Sequence, residues 1–380
     1  MKLTIVSETF PPEVNGVAMT FGIIATELGR LGHDVTIYRP DRDDLPDPAA
    51  EPHYRQVGLP GLSIPGYNLL RLGWPAKGRL KRDWRQSRPD LVHVVTEGPL
   101  GASAVIAAQD LGIPVTSSFH TNFHAYTSDY GFAVLNRLVL WWLRFVHNRT
   151  QRTFAPTDEL CAELAAMGFR NTSLLSRGID TVCFSPERRN EKLRAEWGAG
   201  PSDRVVLHVG RMAPEKNYDL LFRIYDAMRM ADPSLKFVLA GDGPIKEKLV
   251  AEHPECTFAG FFSRQDIGEY YASADIYVHA SLTETFGNVL TEAMASGLAV
   301  AGFDYAAAKQ FVTHEQNGLL APGGEETALL EESVRLASDP KLADRLRQAA
   351  RKGFELQSWD RVIGRFEADL LREAGLVSDP

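Results

Sequence analysis

Short apolar runs alternate along the chain with longer amphipathic segments. The chain begins with an apolar run over residues 3–6, a Pro-Pro-Glu-Val-Asn-Gly loop, an amphipathic segment that stops at Gly32, and the run DVTIY. The same order recurs in PDLVHVVT followed by GPLGASAVIAAQDLG. Apolar runs of this length are typical of buried strands, and the segments between them are typical of helices. The alternation predicts an α/β fold in which helices cover both faces of a parallel sheet.

The alternation of apolar runs and amphipathic segments is interrupted once and then starts again. Residues 183–203 are polar and rich in Gly and Pro, and the runs RVVLHVG, LKFVLAGDG, CTFAGF, ADIYVHAS and LAVAGFD follow. A chain of 380 residues also exceeds the comfortable size of a single core. We therefore predict two tandem Rossmann-like, doubly wound domains whose sheets face each other across a cleft. The predicted segments are a first domain over 1–185, a linker over 186–202, a second domain over 203–355, and a helix in 356–380 that is a candidate to pack back on the first domain.

Composition narrows the class of protein. The chain is 44% hydrophobic and 24% charged, and its net charge of −8 argues against a general nucleic-acid binder. Its three cysteines are far apart and include no Cys-x-x-Cys, so neither a disulfide framework nor a zinc site is indicated. The N-terminal apolar run is too short for a signal peptide, and the longest apolar region is interrupted by Asn136, Arg137 and Arg144. We expect a cytoplasmic protein without a membrane-spanning segment.

The loop VGRMAPEKN, residues 209–217, is a candidate anion site. It places Arg211 and Lys216 after a predicted strand and near the start of a helix. Arg can engage a diphosphate bidentately, Lys acts as a point charge, and helix-terminal amides favour an anion. A surface loop in which Glu215 and Lys216 are merely solvated is the alternative interpretation, and the loop alone leaves it open.

The stretch SLTETFGNVLTEAMASG carries two glutamates eight positions apart, Glu284 and Glu292. A helix is predicted from about Phe286 to Ser296, and eight helical residues span roughly 12 Å, the scale of a nucleotide sugar. The amides of Gly287, Asn288 and Val289 would lie at the helix N-terminus and favour an anion there. The alternative is an ordinary helix with one N-terminal and one exposed glutamate.

The segment 117–131 follows a predicted buried strand and is rich in polar residues, among them His120, Asn122, His124 and Tyr126. A histidine at the carboxyl end of a strand can hydrogen-bond a substrate hydroxyl or a developing charge. A metal site at His120 and His124 has no carboxylate or Cys partner nearby in the sequence. The motif DRDD, residues 41–44, could chelate a divalent ion but has the composition of a solvated loop. The first loop lacks Gly-x-Gly-x-x-Gly, which disfavours a dinucleotide oxidoreductase.

Together, ETFPPEVNGV, GRMAPEKN, AGDGP and ETFGNVLTEAMASG resemble the motifs of the retaining glycosyltransferases of family 4, which have the GT-B fold. They occur in order over nearly the whole chain. The resemblance implies transfer of a hexose from a nucleoside diphosphate sugar, UDP- or GDP-linked, with retention of the anomeric configuration. Front-face attack and double displacement both retain it, and the sequence does not distinguish them. A non-catalytic protein that binds nucleotide sugars is the alternative from another class.

The resemblance also implies residue roles. His120 would lie by the anomeric carbon, Arg211 and Lys216 would bind the diphosphate, Glu284 the hexose hydroxyls and Glu292 the ribose. These implied catalytic residues are His120, Arg211, Lys216 and Glu284. Further donor contacts are expected from Gly16, Gly210, Gly241, Asp242, Phe261, Phe262, Phe286, Gly287, Asn288 and Val289. Acceptor-side contacts are expected from Glu13, Asn15, Asn122 and Tyr126. No metal or other cofactor is expected, because cationic side chains and helix amides would take the place of a cation.

The acceptor is less constrained by the sequence. SSFHTNFHAY and LLSRGID are most similar to bacterial members that glycosylate lipids, including GDP-mannose-dependent mannosyltransferases. GFDYAAAKQFV departs from the Gly-Gly-x-Pro-Glu found there, so contacts of that loop with the sugar are not carried over. We expect a membrane lipid as acceptor, with a soluble saccharide or polysaccharide as the alternative. The base, the hexose and the oligomeric state stay open.

A lipid acceptor would require a docking face, and residues 71–88 are strongly basic. If a helix begins at Pro75, then Ala76, Leu80 and Trp84 share one of its faces. Anionic headgroups would attract the basic remainder and make the protein peripheral to the membrane. The proposed docking residues are Arg79, Lys81, Arg82, Trp84 and Arg85. A helix that merely covers the sheet, with a solvated outer face, is the alternative.

Overall fold

The structure is a computed structural model that describes residues 1–13, 15–41, 53–64, 67–120, 133–260, 264–281, 284, 286–354 and 357–377. It contains two compact units. The first comprises Met1–Arg177 and Asp360–Pro380, and the second comprises Gly178–Trp359.

The first unit is built on a seven-stranded parallel sheet with the order β3-β2-β1-β6-β7-β8-β9. Its strands are β1 (Lys2–Val6), β2 (Asp34–Pro40), β3 (Arg55–Leu59), β6 (Leu91–Val94), β7 (Val115–Ser118), β8 (Arg152–Ala155) and β9 (Thr172–Leu174). An antiparallel hairpin is formed by β4 (Gly61–Ile64) and β5 (Tyr67–Gly73). The helices are α1 (Gly16–Arg30), α2 (Lys77–Gln86), α3 (Pro99–Asp110), α4 (Ala133–His147) and α5 (Asp158–Ala166).

The strands of this sheet are apolar because both faces are covered. All four residues of β6 are buried, including His93. The ring nitrogens of His93 are each 2.9 Å from a hydroxyl, those of Thr116 and Ser118. Burial lowers the pKa of His93 to about 3, so this histidine is a neutral part of the core.

The second unit repeats the architecture with six parallel strands in the order β12-β11-β10-β13-β14-β15. These are β10 (Val205–Val209), β11 (Lys236–Ala240), β12 (Thr257–Gly260), β13 (Ile276–His279), β14 (Ala299–Phe303) and β15 (Leu319–Ala321). The helices are α6 (Glu191–Glu196), α7 (Tyr218–Ala231), α8 (Lys246–Glu252), α9 (Arg264–Ser273), α10 (Asn288–Ala295), α11 (Ala306–Phe311), α12 (Glu326–Ser338) and α13 (Pro340–Phe354). Short 3₁₀ turns span Pro186–Arg188 and Pro214–Lys216.

The chain changes unit earlier than the sequence predicted. The segment 186–202, expected to be a linker, is packed within the second unit. The guanidinium of Arg194, only 1% exposed, donates to Asp275 Oδ2 at 2.9 Å and to the carbonyl of Ser273 at 2.8 Å. A buried arginine needs such partners, and these partners hold the polar segment against the unit.

The last helix, α14 (Trp359–Glu373), returns the chain to the first unit. Phe366 of this helix contacts the rings of His93 and Phe154, with centroids 5.2 and 5.0 Å away. Arg152 of β8 pairs with Asp369 and Glu373 at 3.2 and 2.8 Å. The helix is therefore joined to the sheet by both apolar and ionic contacts.

Candidate functional site

The loops that follow β10 and β13 lie side by side at the carboxyl edge of the second sheet. The two strands pair directly, with Val206 opposite Ile276 and Leu207 opposite Tyr277. The order of the strands reverses at this pair, and open α/β sheets bind ligands outside such a switch point. The side-chain amide of Asn217, at the end of the first loop, donates to the carbonyl of Ala280 in the second at 3.4 Å.

Lys216 and Glu284 form an ion pair at this point. Lys216 Nζ donates to Glu284 Oε1 at 2.5 Å, and the two side chains are only 19% and 16% exposed. Burial disfavours the Glu284 carboxylate, but its electrostatic interactions with His279 and Lys216 outweigh burial, so the pKa of Glu284 lies below the ordinary value. The pair gives the edge of the sheet one cation and one anion in a largely water-excluded place.

Buried histidines lie behind the pair. His279 Nε2 is 4.0 Å from Glu284 Oε1, and His208 is the fourth of the five residues of β10. Burial lowers the pKa of His208 to about 3, and it also lowers the pKa of His279. Burial therefore favours the neutral form of both rings, and the Glu284 carboxylate opposes this effect at His279.

Tyr305 anchors the backbone of Glu284. The Glu284 amide donates to the Tyr305 hydroxyl, and the amide of Ala307 donates to the carbonyl of Phe286 at 2.8 Å. The loop after β14 is thus bonded to the loop that carries Glu284 at two places. This loop is the one that departs from Gly-Gly-x-Pro-Glu, and sequence reasoning assigned Tyr305 no role.

Arg211 does not join the pair in this structure. Its side chain is 63% exposed and forms an ion pair with Glu215, four positions later in the chain. The structure therefore brings Lys216, but not Arg211, into contact with Glu284.

The glycines of this edge allow close approach of two loops. Gly241 has φ +147°, and a Cβ there would lie 2.0 Å from the carbonyl oxygen of Gly210. The neighbouring Asp242 accepts the amide of Gly243 at 2.8 Å and lies 3.4 Å from Lys246 Nζ. A larger residue at 241 would separate the loops after β10 and β11.

The helix that carries Glu292 begins two residues later than predicted. α10 starts at Asn288 after Gly287, which has φ +93°, and Phe286 is buried in the core instead. Val289 packs against the same core, and Asn288 occupies the first turn of the helix. Tyr271, fully buried on α9, donates its hydroxyl to Glu292 Oε2 at 3.0 Å.

In the first unit, the loop after β1 is organised by side-chain hydrogen bonds. Thr9 Oγ1 donates to Glu13 Oε2 at 2.5 Å and accepts from Asn15 Nδ2 at 2.6 Å. Asn15 Oδ1 then caps α1 by accepting the amides of Val17 and Ala18. Glu13 and Asn15 thus have structural partners that account for their conformation.

His120 follows β7 in the same unit. Both ring nitrogens are buried and have no hydrogen-bond partner within the described residues. Burial, followed by the charge of Arg177, holds the pKa of His120 well below its usual value. Arg177 also donates to the carbonyl of Gly16 at 3.1 Å. Four predicted site residues lie outside the described residues: Asn122, Tyr126, Phe261 and Phe262.

The structure corrects the prediction for one residue of the proposed docking face on α2. Trp84 is 2% exposed and packs in the core of the first unit, because with Leu80 it forms the face that covers the sheet. Arg79 is paired with Asp83 at 2.8 Å, and Lys81 with Asp110 at 2.7 Å. Arg82 and Arg85 are exposed, but the helix presents no tryptophan to a membrane.

Helix α4 and the residues just after it present a different surface, which we call the α4 face and define by Arg137, Leu138, Trp141, Phe145 and Arg149. Leu138 and Trp141 are 59% and 60% exposed, and the Arg149 guanidinium lies 3.7 Å from the centroid of the Phe145 ring. No acidic residue occurs between positions 133 and 157. The α4 face therefore combines exposed apolar groups with positive charge.

The described residues include no membrane-spanning helix and no metal-binding cluster. No helix among them is long and apolar enough to cross a membrane. Within the same residues, no group of three or more His, Cys, Asp or Glu side chains is arranged to hold a metal ion.

Two family models and several known proteins match most of the chain. A family model for "Glycosyltransferase Family 4" matches residues 14–183, and one for "Glycosyl transferases group 1" matches residues 189–353. The chain is 33% identical to a GDP-mannose-dependent alpha-mannosyltransferase of Mycobacterium tuberculosis (strain CDC 1551 / Oshkosh), over 97% of each chain. It is 34% identical to the protein of that name from Mycolicibacterium smegmatis, covering 98% of this chain and 99% of the relative.

A more distant relative and a solved structure also match the chain. The chain is 24% identical to an alpha-monoglucosyldiacylglycerol synthase of Streptococcus pneumoniae, covering 86% of this chain and 77% of the relative. A solved structure of sucrose-phosphate synthase from Thermosynechococcus elongatus superimposes with a TM-score of 0.80 at 20% identity, covering 100% of both chains. The last match concerns the fold alone.

Proposed function

Because the chain belongs to the family 4 glycosyltransferases, hexosyltransferases of the GT-B fold, we propose that it transfers mannose from GDP-mannose to a membrane lipid with retention of the anomeric configuration. The observation that carries the proposal is the Lys216–Glu284 pair. GDP-mannose is supported by the names of the two relatives at 33% and 34% identity.

In the proposed donor complex, the ion pair exchanges its partners. Lys216 turns to the diphosphate, and Glu284 accepts hydrogen bonds from mannose hydroxyls. A charge that is less than 20% exposed needs a partner, so the two side chains satisfy each other until the donor replaces both partners. Positive charge on the departing diphosphate stabilises the transition state, because charge on the bridging oxygen grows as the bond breaks. Glu292 is assigned to the ribose.

In the front-face route that the family implies, the bond between the anomeric carbon and the diphosphate oxygen breaks while the acceptor oxygen attacks from the same side. The acceptor proton passes to the departing diphosphate. No residue of the chain needs to change its covalent state. A neutral His120 serves this route better than a cationic one, because positive charge develops on the sugar. The route uses no metal ion.

A membrane lipid as acceptor is supported by two observations. A relative is named for a glucosyldiacylglycerol product, and the α4 face offers exposed apolar side chains beside arginines. Such a surface suits an anionic bilayer, where each basic residue contributes roughly 1 kcal/mol and apolar side chains enter the interface.

The test incubates the purified full chain with GDP-mannose, UDP-glucose or UDP-galactose, each with vesicles of membrane lipid or with soluble saccharides. Release of nucleoside diphosphate is measured, products are identified by mass spectrometry, and the anomeric configuration is read by NMR. We expect GDP release and an α-mannolipid, unchanged after prolonged chelation. Transfer to a soluble saccharide, turnover of a UDP-sugar, an inverted product, or loss of activity that Mg²⁺ restores would each reject the corresponding part of the proposal. Saturable binding without turnover of any donor would reject enzymatic activity on these substrates.

A further inference from the structure

Arg177 acts on two residues of the first unit that follow different strands. These are Gly16, which follows β1, and His120, which follows β7. Arg177 follows β9, in the motif LLSRGID, and its side chain is buried. Nη1 donates to the carbonyl oxygen of Gly16 at 3.1 Å. A Cβ on residue 16 would lie 2.8 Å from the same Nη1, so a side chain there would displace the guanidinium. Gly16 begins α1, immediately after the cap Asn15.

His120 lies in the same region. The ring of Phe21, one turn further along α1, contacts the His120 ring with centroids 5.6 Å apart. Burial is the main cause of the lowered pKa of His120, and the ionisable groups that add to it are Arg177, His93 and His147. Burial lowers the pKa of His93 and of His147 to about 3, so Arg177 is the one of these three that is charged at neutral pH. An arginine keeps this charge at all pH values at which the protein is folded.

Building on the proposed transfer reaction, we propose that Arg177 is a positioning residue: its guanidinium fixes the backbone of Gly16 and provides a permanent positive charge beside His120. Nothing in the motifs that predicted Gly16 and His120 assigned this role. The fork of an arginine can hold a carbonyl oxygen with one nitrogen and direct its other nitrogens elsewhere. Loss of Arg177 should therefore move the start of α1 and make His120 easier to protonate.

The kinetic test compares Arg177→Met and Arg177→Lys with the wild type and with Arg88→Met. Arg88 is a matched control in the same unit, because it also donates to backbone carbonyls, those of Leu111 and Gly112. Arg177→Met should lower kcat/KM about 100-fold, the effect of displacing reacting groups by about 1 Å. Arg177→Lys should recover part of the loss, and Arg88→Met should be unaffected. The acidic limb of the kcat/KM–pH profile should move to higher pH in Arg177→Met but not in Arg177→Lys.

A second measurement does not depend on turnover. In histidine-labelled protein, the ring signals of His120 are assigned with His120→Gln and followed by NMR as the pH falls, with thermal unfolding as a check on folding. Because Arg177 opposes protonation, the neutral form of His120 should persist to lower pH in the wild type than in Arg177→Met. If a folded Arg177→Met shows the wild-type titration of His120, or has wild-type kcat/KM, the proposal is overturned. If the wild type transfers no sugar, the proposed function fails and the NMR comparison still decides the placement of Arg177.

Discussion

Lys216 Nζ and Glu284 Oε1 lie 2.5 Å apart although their residues are 68 positions apart in the chain. The contact exists because β10 and β13 are neighbours in the sheet while the intervening β11 and β12 lie on the other side of β10. Each residue sits in the loop that follows its strand. The order of the strands thus brings one residue from each of two separate motifs together as an ion pair.

Lys216→Ala should lower kcat/KM for GDP-mannose by roughly 100- to 1,000-fold, the scale observed when a group that stabilises transition-state charge is removed. The variant loses the cation that we propose binds the diphosphate, and it leaves the Glu284 carboxylate with reduced charge compensation. Steady-state kinetics of GDP release measure the effect. Arg223→Ala is the control, because it breaks a more exposed pair, with Glu326, in the same unit. An unchanged kcat/KM in Lys216→Ala would remove its assigned role.

Glu284 and Glu292 should respond differently to replacement by alanine. Glu284→Ala should lower kcat and relax selection between hexoses, because its proposed partner is the transferred sugar. Glu292→Ala should weaken binding of GDP, as measured by calorimetry, with a smaller change in kcat. Equal effects of the two variants on both quantities would contradict this division of roles.

Tyr305→Phe should reduce kcat while leaving the fold intact. The change removes only the hydroxyl that accepts the Glu284 amide, and an unsatisfied buried amide costs about 1–3 kcal/mol. In the Glu284→Ala background the same change should have little further effect on kcat, because the two residues act together. Tyr225→Phe is the matched control, since the Tyr225 hydroxyl donates to the carbonyl of Leu235 in the same unit, 3.4 Å away. Additive losses in the double variant would argue against a shared role.

Binding to vesicles should depend on the α4 face more than on α2. The double variant Leu138→Ser, Trp141→Ser should reduce co-sedimentation with vesicles that contain anionic lipid, because both side chains are more than half exposed. Met230→Ser is the control, since Met230 is 86% exposed in the second unit. A larger loss of co-sedimentation after neutralising Arg79, Lys81, Arg82 and Arg85 would indicate that α2 is the docking face instead.

The stability of the protein should fall between pH 5 and 8 because of Glu8. Burial raises the pKa of this carboxyl to about 7 in the folded protein, while the unfolded value is 4.5. The folded state therefore binds more protons in this interval, and the free energy of unfolding decreases as the pH rises through it. Glu8→Gln should flatten the decline, with the difference from the wild type increasing toward pH 8 in denaturant titrations. Parallel curves for the two proteins would contradict the shifted pKa.

Much of the fold could be predicted from local pattern. The apolar runs became strands and the intervening segments became helices, because burial on both faces of a parallel sheet requires continuous apolar strands. The boundary between the units could not be predicted in this way. The polar segment around Arg194 has the composition of a linker, and only its bonds to Asp275 and Ser273 hold it within the second unit.

The candidate site, like the fold, could be predicted from the sequence only in part. The sequence by itself determined which loops carry charge, glycine and a helix start, because these depend on residue types within a few positions. Tertiary structure decided which of those residues meet: Lys216 with Glu284, Tyr305 with the Glu284 backbone, and Arg177 with Gly16. It also decided that Trp84 lies in the core while Trp141 is exposed. Periodicity finds an apolar face, but only packing determines whether another part of the chain covers it.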